Sequence, residues 1–267
     1  MDWIREYGWF FFIYALLGWC GEVAFAAVKE KRFVNRGFLN GPLCPIYGVG
    51  VAVIVGLGSM AGDNVLVLFA ISAIVTSLIE LVTGYVLEKL FRTRWWGYSD
   101  MPLNIGGYIC LPFSLLWGIA CVVIIKVIHP LISAFVDWTP LWLSWPLLIL
   151  FMILLFVDLY VTVSHISKNL RQLQRLEELA VQLREFSDTL GQKISDTTLE
   201  AEKKADLDNL EEKKKEFALR KAEMEILMKE GMPGLRRHLK AFPKMQSKRF
   251  KESLEKFREN LYGKDKK

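Results

Sequence analysis

Residues 9–28 read WFFFIYALLGWCGEVAFAAV, twenty positions with a single charged side chain, Glu22. The hydrocarbon core of a bilayer is about 30 Å thick and is crossed by roughly 20 apolar helical residues, so Trp9–Val28 predicts a transmembrane helix. Glu22 is the exception that carries information. A carboxylate inside a span is costly unless it faces the bundle interior, finds a partner or takes up a proton.

Four further stretches read the same way: Pro45–Met60, Val65–Leu90, Ile109–Val127 and Leu141–Val163. The 267 residues are 52% hydrophobic with a mean hydropathy of +0.26, too apolar for an ordinary soluble domain. The charge is unevenly placed. Residues 1–163 hold 9 Lys/Arg and 10 Asp/Glu, whereas residues 164–267 hold 25 and 19. A membrane module, 1–163, is therefore followed by a charged helical tail, which excludes a single soluble enzyme domain, a disulfide scaffold and a secreted protein. Basic residues in short loops stay on the cytoplasmic side. Lys and Arg number 1 before the first span, then 4, 0, 3 and 1 in successive loops, and 25 after the fifth. Five spans of a multi-pass plasma-membrane protein, with the N-terminus outside and the tail in the cytoplasm, satisfy every count.

The third span repeats the first. The run from Glu22 to Glu30-Lys31 aligns without gaps with Glu80 to Glu88-Lys89, and each is followed by a basic loop containing Gly and an aromatic. An Asn and a Cys then lead into the next span, Asn40 and Cys44 in one copy and Asn104 and Cys110 in the other. The pattern predicts two parallel copies of a two-helix unit, with the fifth helix appended. The fold class is all-α, a polytopic membrane helix bundle with a cytoplasmic helical or coiled-coil tail.

Glu22 and Glu80 lie about 12 Å inside Glu30 and Glu88 at 1.5 Å per residue. They are read as lining a polar path or binding an ion or substrate, with Glu88 and Asp158 as further candidates. The structural alternative is a pair of neutral carboxylic acids hydrogen-bonded to Ser77, Thr83 or a facing helix. Asp158 also suits a capping role near the interface. In the loops, Arg36, Asn40, Cys44, Trp95, Tyr98, Asn104 and Cys110 are candidates for anionic headgroups, a phosphorylated ligand or a cytoplasmic partner; ordinary positive-inside loops with interfacial aromatics would look alike. His129, His165 and His238 are too scattered for a metal site, and no phosphate loop, dinucleotide fingerprint, nucleophile elbow or zinc-protease motif occurs. No cofactor, metal or enzymatic activity is expected.

The segment Asn35-Arg36-Gly37-Phe38-Leu39-Asn40-Gly41-Pro42-Leu43-Cys44-Pro45-Ile46-Tyr47-Gly48 resembles the signature of the bacterial membrane family called putative ABC-transporter type IV. So does the run from Tyr98 through Pro102, Asn104 and Gly107 to Cys110, with Trp117-Gly118 beyond it. The resemblance spans roughly residues 9–160. It implies a permease-like subunit working with a separate ATPase; it carries no substrate and no catalytic residues. Five helices would enclose a path only as an oligomer or with partner subunits. The alternative is a membrane scaffold or sensor presenting its tail.

Within that tail, Leu173, Leu176, Ala180, Leu183 and Leu190 recur at heptad-like spacing up to an expected break near Gly191. A second helix is expected from about Ser195 to Lys229, giving 164–230 as a helical hairpin or coiled coil. Residues 231–267 carry 12 Lys/Arg against 4 Asp/Glu. There Phe250, Leu254, Phe257 and Leu261 form an apolar face beside Lys248, Arg249, Lys251, Lys256 and Arg258. A basic amphipathic helix of this kind suits an anionic lipid surface, or packs on the stalk. The tether makes lipid the nearer polyanion, so no nucleic-acid partner is expected.

Overall fold

Apolar and aromatic residues without proline carry α1 from Asp2 to Glu30, and Lys31, in the left-handed region at φ 56°, turns the chain out of it. The computed structural model describes residues 2–58, 60–199, 215, 217–222, 226, 232–247 and 251–264. After α1 come α2 (Pro45–Gly58), α3 (Val65–Phe91), β1 (Thr93–Arg94), β2 (Asn104–Ile105), β3 (Ile109–Cys110) and α4 (Leu111–Val123). A π-helical turn (Ile124–Ile128) then leads to α5 (His129–Trp138), α6 (Leu141–Leu199), α7 (Pro233–Ala241), β4 (Gln246–Ser247) and α8 (Lys251–Lys264). The chain divides into two compact units, Met1–His165 with Arg237–Gln246, and Ile166–Arg236 with Ser247–Lys267. The C-terminal segment is thus shared between them.

Four helical stretches are long and apolar enough to cross a membrane: Asp2–Glu30, Val65–Phe91, Leu111–Trp138 and Leu141–Glu185. Only 11% to 22% of their most apolar windows is buried within the protein, so the remaining apolar surface calls for lipid as solvent. α2 is different. Its 14 residues rise about 21 Å, less than the hydrocarbon thickness. Four long helices and one short one stand where five full spans were expected. The expected fourth span, Ile109–Val127, is also corrected at its end, the helical stretch from Leu111 continuing to Trp138. Pro130 removes a backbone donor and crowds the preceding turn, and the helix absorbs this as the π-helical turn Ile124–Ile128.

α2 can be short because the chain does not leave α1 at its end. The loop after Glu30 folds back along the helix: Trp19 Nε1 donates to Asn35 Oδ1 at 2.8 Å, and the Cys44 amide donates to the Ala15 carbonyl at 2.9 Å. Ala15 lies about 22 Å along the axis from Glu30. The second copy does the same. Between α3 and α4, Trp96 and Tyr108 close on Gly84, and Ser77 Oγ donates to Ser114 Oγ at 2.7 Å. The antiparallel β2–β3 hairpin, with Asn104 opposite Cys110, is turned by Gly106 and Gly107 at φ 59° and 72°. Irregular backbone at this depth is tolerated because protein covers it.

The helix pairs α1–α2 and α3–α4 also pack alike. A Cβ at Gly48 would meet Phe11 and Ala15, and one at Gly118 would meet Phe69 and Ala73. Phe11 and Ala15 precede Phe69 and Ala73 by the same spacing that separates Glu22 from Glu80. This is the expected repeat, with a refined register. Gly48 corresponds to Gly118, which places Cys110 one turn earlier than Cys44 in its own copy. The core behind these pairs has one cluster around Trp9, Phe10, Phe12, Val51, Val136 and Leu148, and another around Ile54, Leu68 and Cys121.

In the second unit, α6 corrects the expected break near Gly191, running unbroken to Leu199. One interior glycine costs a helix only about 1 kcal/mol. Ile166, Asn169, Leu173 and Leu176 are buried at alternating three- and four-residue steps. In the same unit Leu254 of α8 is buried, and Ser253 donates backbone and hydroxyl bonds to Glu177. Most of the expected second tail helix lies outside the described residues.

Candidate functional site

The two back-folded loops and the helices they follow enclose a cavity of about 390 Å³. Its lining comes from α1 (Glu22), the first loop (Arg36, Phe38, Leu39, Cys44), α2 (Pro45, Ile46, Tyr47, Gly50, Val51) and α3 (Thr76, Ile79, Glu80, Thr83, Leu87). The second loop adds Trp96 and Tyr98, α4 adds Trp117 and Cys121, and Ile124, Leu159 and Phe242 complete it. Glu22 and Glu80 therefore face one space. A sequence argument from the cost of buried charge could single them out but could not bring them together.

Their partners differ. Glu22 accepts a hydrogen bond from Tyr47 Oη at 2.6 Å and pairs with Arg36 Nε at 3.1 Å, and Arg36 also sits over the Phe25 ring at 5.4 Å. Its charge is matched. Glu80 accepts from Tyr98 Oη at 3.0 Å through one oxygen, while its buried Oε2 finds no donor among the described residues. The alternative partners Ser77 and Thr83 do not supply one: Ser77 is engaged by Ala73 and Ser114. The aromatic walls touch one another, Tyr47 against Trp117 at 5.4 Å and Tyr98 stacked on Phe113 at 4.9 Å. A mostly apolar chamber with one matched and one unmatched carboxylate can hold a positive charge or a proton.

The other sequence candidates lie elsewhere. Glu88 is outside the lining and binds Arg94 Nε and Tyr108 Oη, both at 2.8 Å. Burial works against the Arg94 charge, but the Glu88 and Tyr108 partners outweigh it and raise its pKa. Asp158 ties the first loop to α6, and the amides it binds lie ahead of the start of α2 at Pro45. It accepts from the Asn40 amide at 3.1 Å and side chain at 3.0 Å, from the Gly41 amide at 2.7 Å and from Thr162 Oγ1 at 3.2 Å. Asn104 holds its own loop through the Met101 carbonyl at 2.9 Å and the Gly107 amide at 3.2 Å. Cys110 is buried at the start of α4, and Cys44 is a buried free thiol in the cavity wall.

Trp95 corrects its reading as a residue for headgroups. It is 2% exposed and boxed by Phe38, Phe91, His238 and Phe242 at 5.2 to 5.8 Å. The last two belong to the strap Arg237–Gln246, which sequence reasoning included in the basic amphipathic segment 231–267. Arg237 donates to the carbonyls of Gly37, Leu39 and Phe38 at 3.2, 2.9 and 2.7 Å. Burial lowers its pKa, and Asp158 pulls the other way. Of the proposed lipid-facing residues, Lys251 is exposed, the Lys256 side chain is not described, Lys248 and Arg249 lie outside the described residues, and Arg258 is half-buried. Tyr47, Trp117 and Phe242 were missed. Tyr47 stood in the quoted Cys-Pro-Ile-Tyr-Gly block as its only signal, and nothing near Phe242 in sequence pointed to a cavity.

No curated protein and no solved structure matches the chain. The family described as "Putative ABC-transporter type IV" matches residues 9–163, which take in most of α1, all of α2 to α5, the first part of α6 and both back-folded loops. The chain belongs to that family of membrane proteins.

Proposed function

We propose that this chain is the permease-like membrane subunit of a transporter energised by a separate ATPase, with the 390 Å³ cavity as its substrate chamber. The observation that carries the reading is the meeting of Glu22 and Glu80, from two helices of a repeat, on one cavity. Ligand sites of transporters commonly lie between such repeats. In this reading α2 completes a fifth crossing with the help of its back-folded loop, and the basic loops support an N-terminus outside and a tail in the cytoplasm. The test is purification of the full chain in mild detergent. An ATPase subunit is expected to co-purify, and Glu80→Gln is expected to keep that complex while lowering its ligand-stimulated ATP hydrolysis about ten-fold or more. A chain that purifies without an ATPase overturns the transport reading. It would favour a scaffold, the reading that the uninterrupted 59 residues of α6 support.

The topology has its own test. Asp63 and Asp100 are exposed at opposite ends of α3. In a Cys20→Ser background, Asp63→Cys should react with an impermeant maleimide on intact cells, and Asp100→Cys only after permeabilisation. The reverse pattern inverts the orientation.

A further inference from the structure

Two features of the chamber remain unused by the transport reading: an unmatched carboxylate and a wall rich in aromatic faces. The charged groups on the cavity are Glu22, Arg36 and Glu80. Arg36 and Glu22 pair at 3.1 Å, so the carboxylate left without a cationic partner is Glu80. Its Oε2 is shielded from water and from every donor among the described residues. A buried carboxylate oxygen without a donor is a costly arrangement that a cation relieves.

Tyr47, Trp117 and Tyr98 all line the same space, and an aromatic face attracts a cation more strongly where water is excluded. An anion meets the opposite conditions. Its only cationic partner here is Arg36, already committed to Glu22, and it would face Glu80. A metal ion is a poor fit as well, because the described residues offer no group of three metal-ligating side chains. The volume of about 390 Å³ falls in the range of small-molecule pockets, which runs from roughly 300 to 1,000 Å³.

We infer that the cavity binds a small organic cation with an apolar body, an amine or quaternary ammonium compound, with Glu80 as counter-ion and Tyr47, Trp117 and Tyr98 as the surfaces that hold it. This deepens the transport reading and rests on it only for calling the ligand a substrate. Binding to the purified chain needs no ATPase, so a failure of binding and a failure of transport are separate results.

The test is calorimetric titration of the detergent-purified full chain with benzyltrimethylammonium, and with benzenesulfonate as the charge-reversed probe of similar size. Saturable binding of the ammonium ion at one site per chain is expected, with none of the sulfonate. Glu80→Gln is expected to weaken it about thirty-fold or more. Glu88→Gln removes a carboxylate two turns further along α3 and outside the lining, and should change it less than about two-fold. Trp117→Leu keeps the carboxylate and removes one aromatic face, with a loss of about ten-fold expected. This second variant decides the matter if Glu80→Gln does not fold. Absence of saturable ammonium binding, equal binding of the sulfonate, or ammonium binding unchanged in Glu80→Gln or Trp117→Leu would each overturn the assignment.

Discussion

Gly48→Ala is expected to lower the stability of the purified chain by about 3 kcal/mol, at the upper end of overpacking costs, and Gly118→Ala by only about 1–2 kcal/mol. The two glycines occupy corresponding places in the repeat, yet what lies opposite them differs. A Cβ at Gly48 would collide with the carbonyl oxygen of Phe11 and sit 2.8 Å from its ring. A backbone oxygen within α1 cannot move unless the helix moves, and that would disturb the Cys44 amide bond to the Ala15 carbonyl one turn on. At Gly118 the nearest atoms are Phe69 Cε2 at 2.8 Å and the Ala73 methyl at 3.0 Å. The ring can turn. Thermal unfolding in detergent, followed by the loss of the monodisperse chromatographic peak, measures both. Equal losses at the two positions would show that the backbone contact does not decide the cost.

Asp158→Ala should cost about 3 kcal/mol, because one carboxylate accepts the bonds that hold the first loop against α6. The Asn40 and Gly41 amides lose their acceptor, and the Asn40 side chain keeps only Thr162 Oγ1, at 2.7 Å. Asn40 is partly open to solvent, so water replaces some of what is lost. Asp158→Asn retains an acceptor oxygen at nearly the same shape and should lose roughly half as much. The loop should also become sensitive to protease between residues 31 and 44, as Arg32 and Arg36 offer tryptic sites there. An Asp158→Ala chain that melts and resists trypsin like the wild type would show that the bonds from Arg237, Trp19 and the Cys44 amide hold this loop without the carboxylate.

Some of the site was legible and some was not, for identifiable reasons. Glu22 and Glu80 announced themselves, because a carboxylate surrounded by apolar residues is rare enough to need an explanation whatever the fold. Glu88, the counterpart of Glu30 in the alignment, stands near a helix end, where Arg94 and Tyr108 reach it. Trp95 looked like an interfacial aromatic since it adjoins Arg92 and Arg94. Its burial depends on His238 and Phe242, more than 140 residues later in the chain. The strap was hidden by its composition: a charge count sums Arg236, Arg237, Lys240 and Lys244 as a basic surface, whereas Arg237 is turned inward onto three loop carbonyls.

The sequence by itself determined which segments are too apolar for water, that two of the long helices share one pattern, and which two carboxylates stand among apolar residues. Those conclusions rest on hydropathy, helical rise and the cost of burying charge, all local properties. Only the tertiary structure decided that the loops fold back beside their helices, that Glu22 is neutralised by Arg36 while Glu80 is not, and that both face one chamber. These are matters of pairing between distant residues. A charge in sequence carries its cost with it, but whether that cost is met depends on which partner the fold delivers.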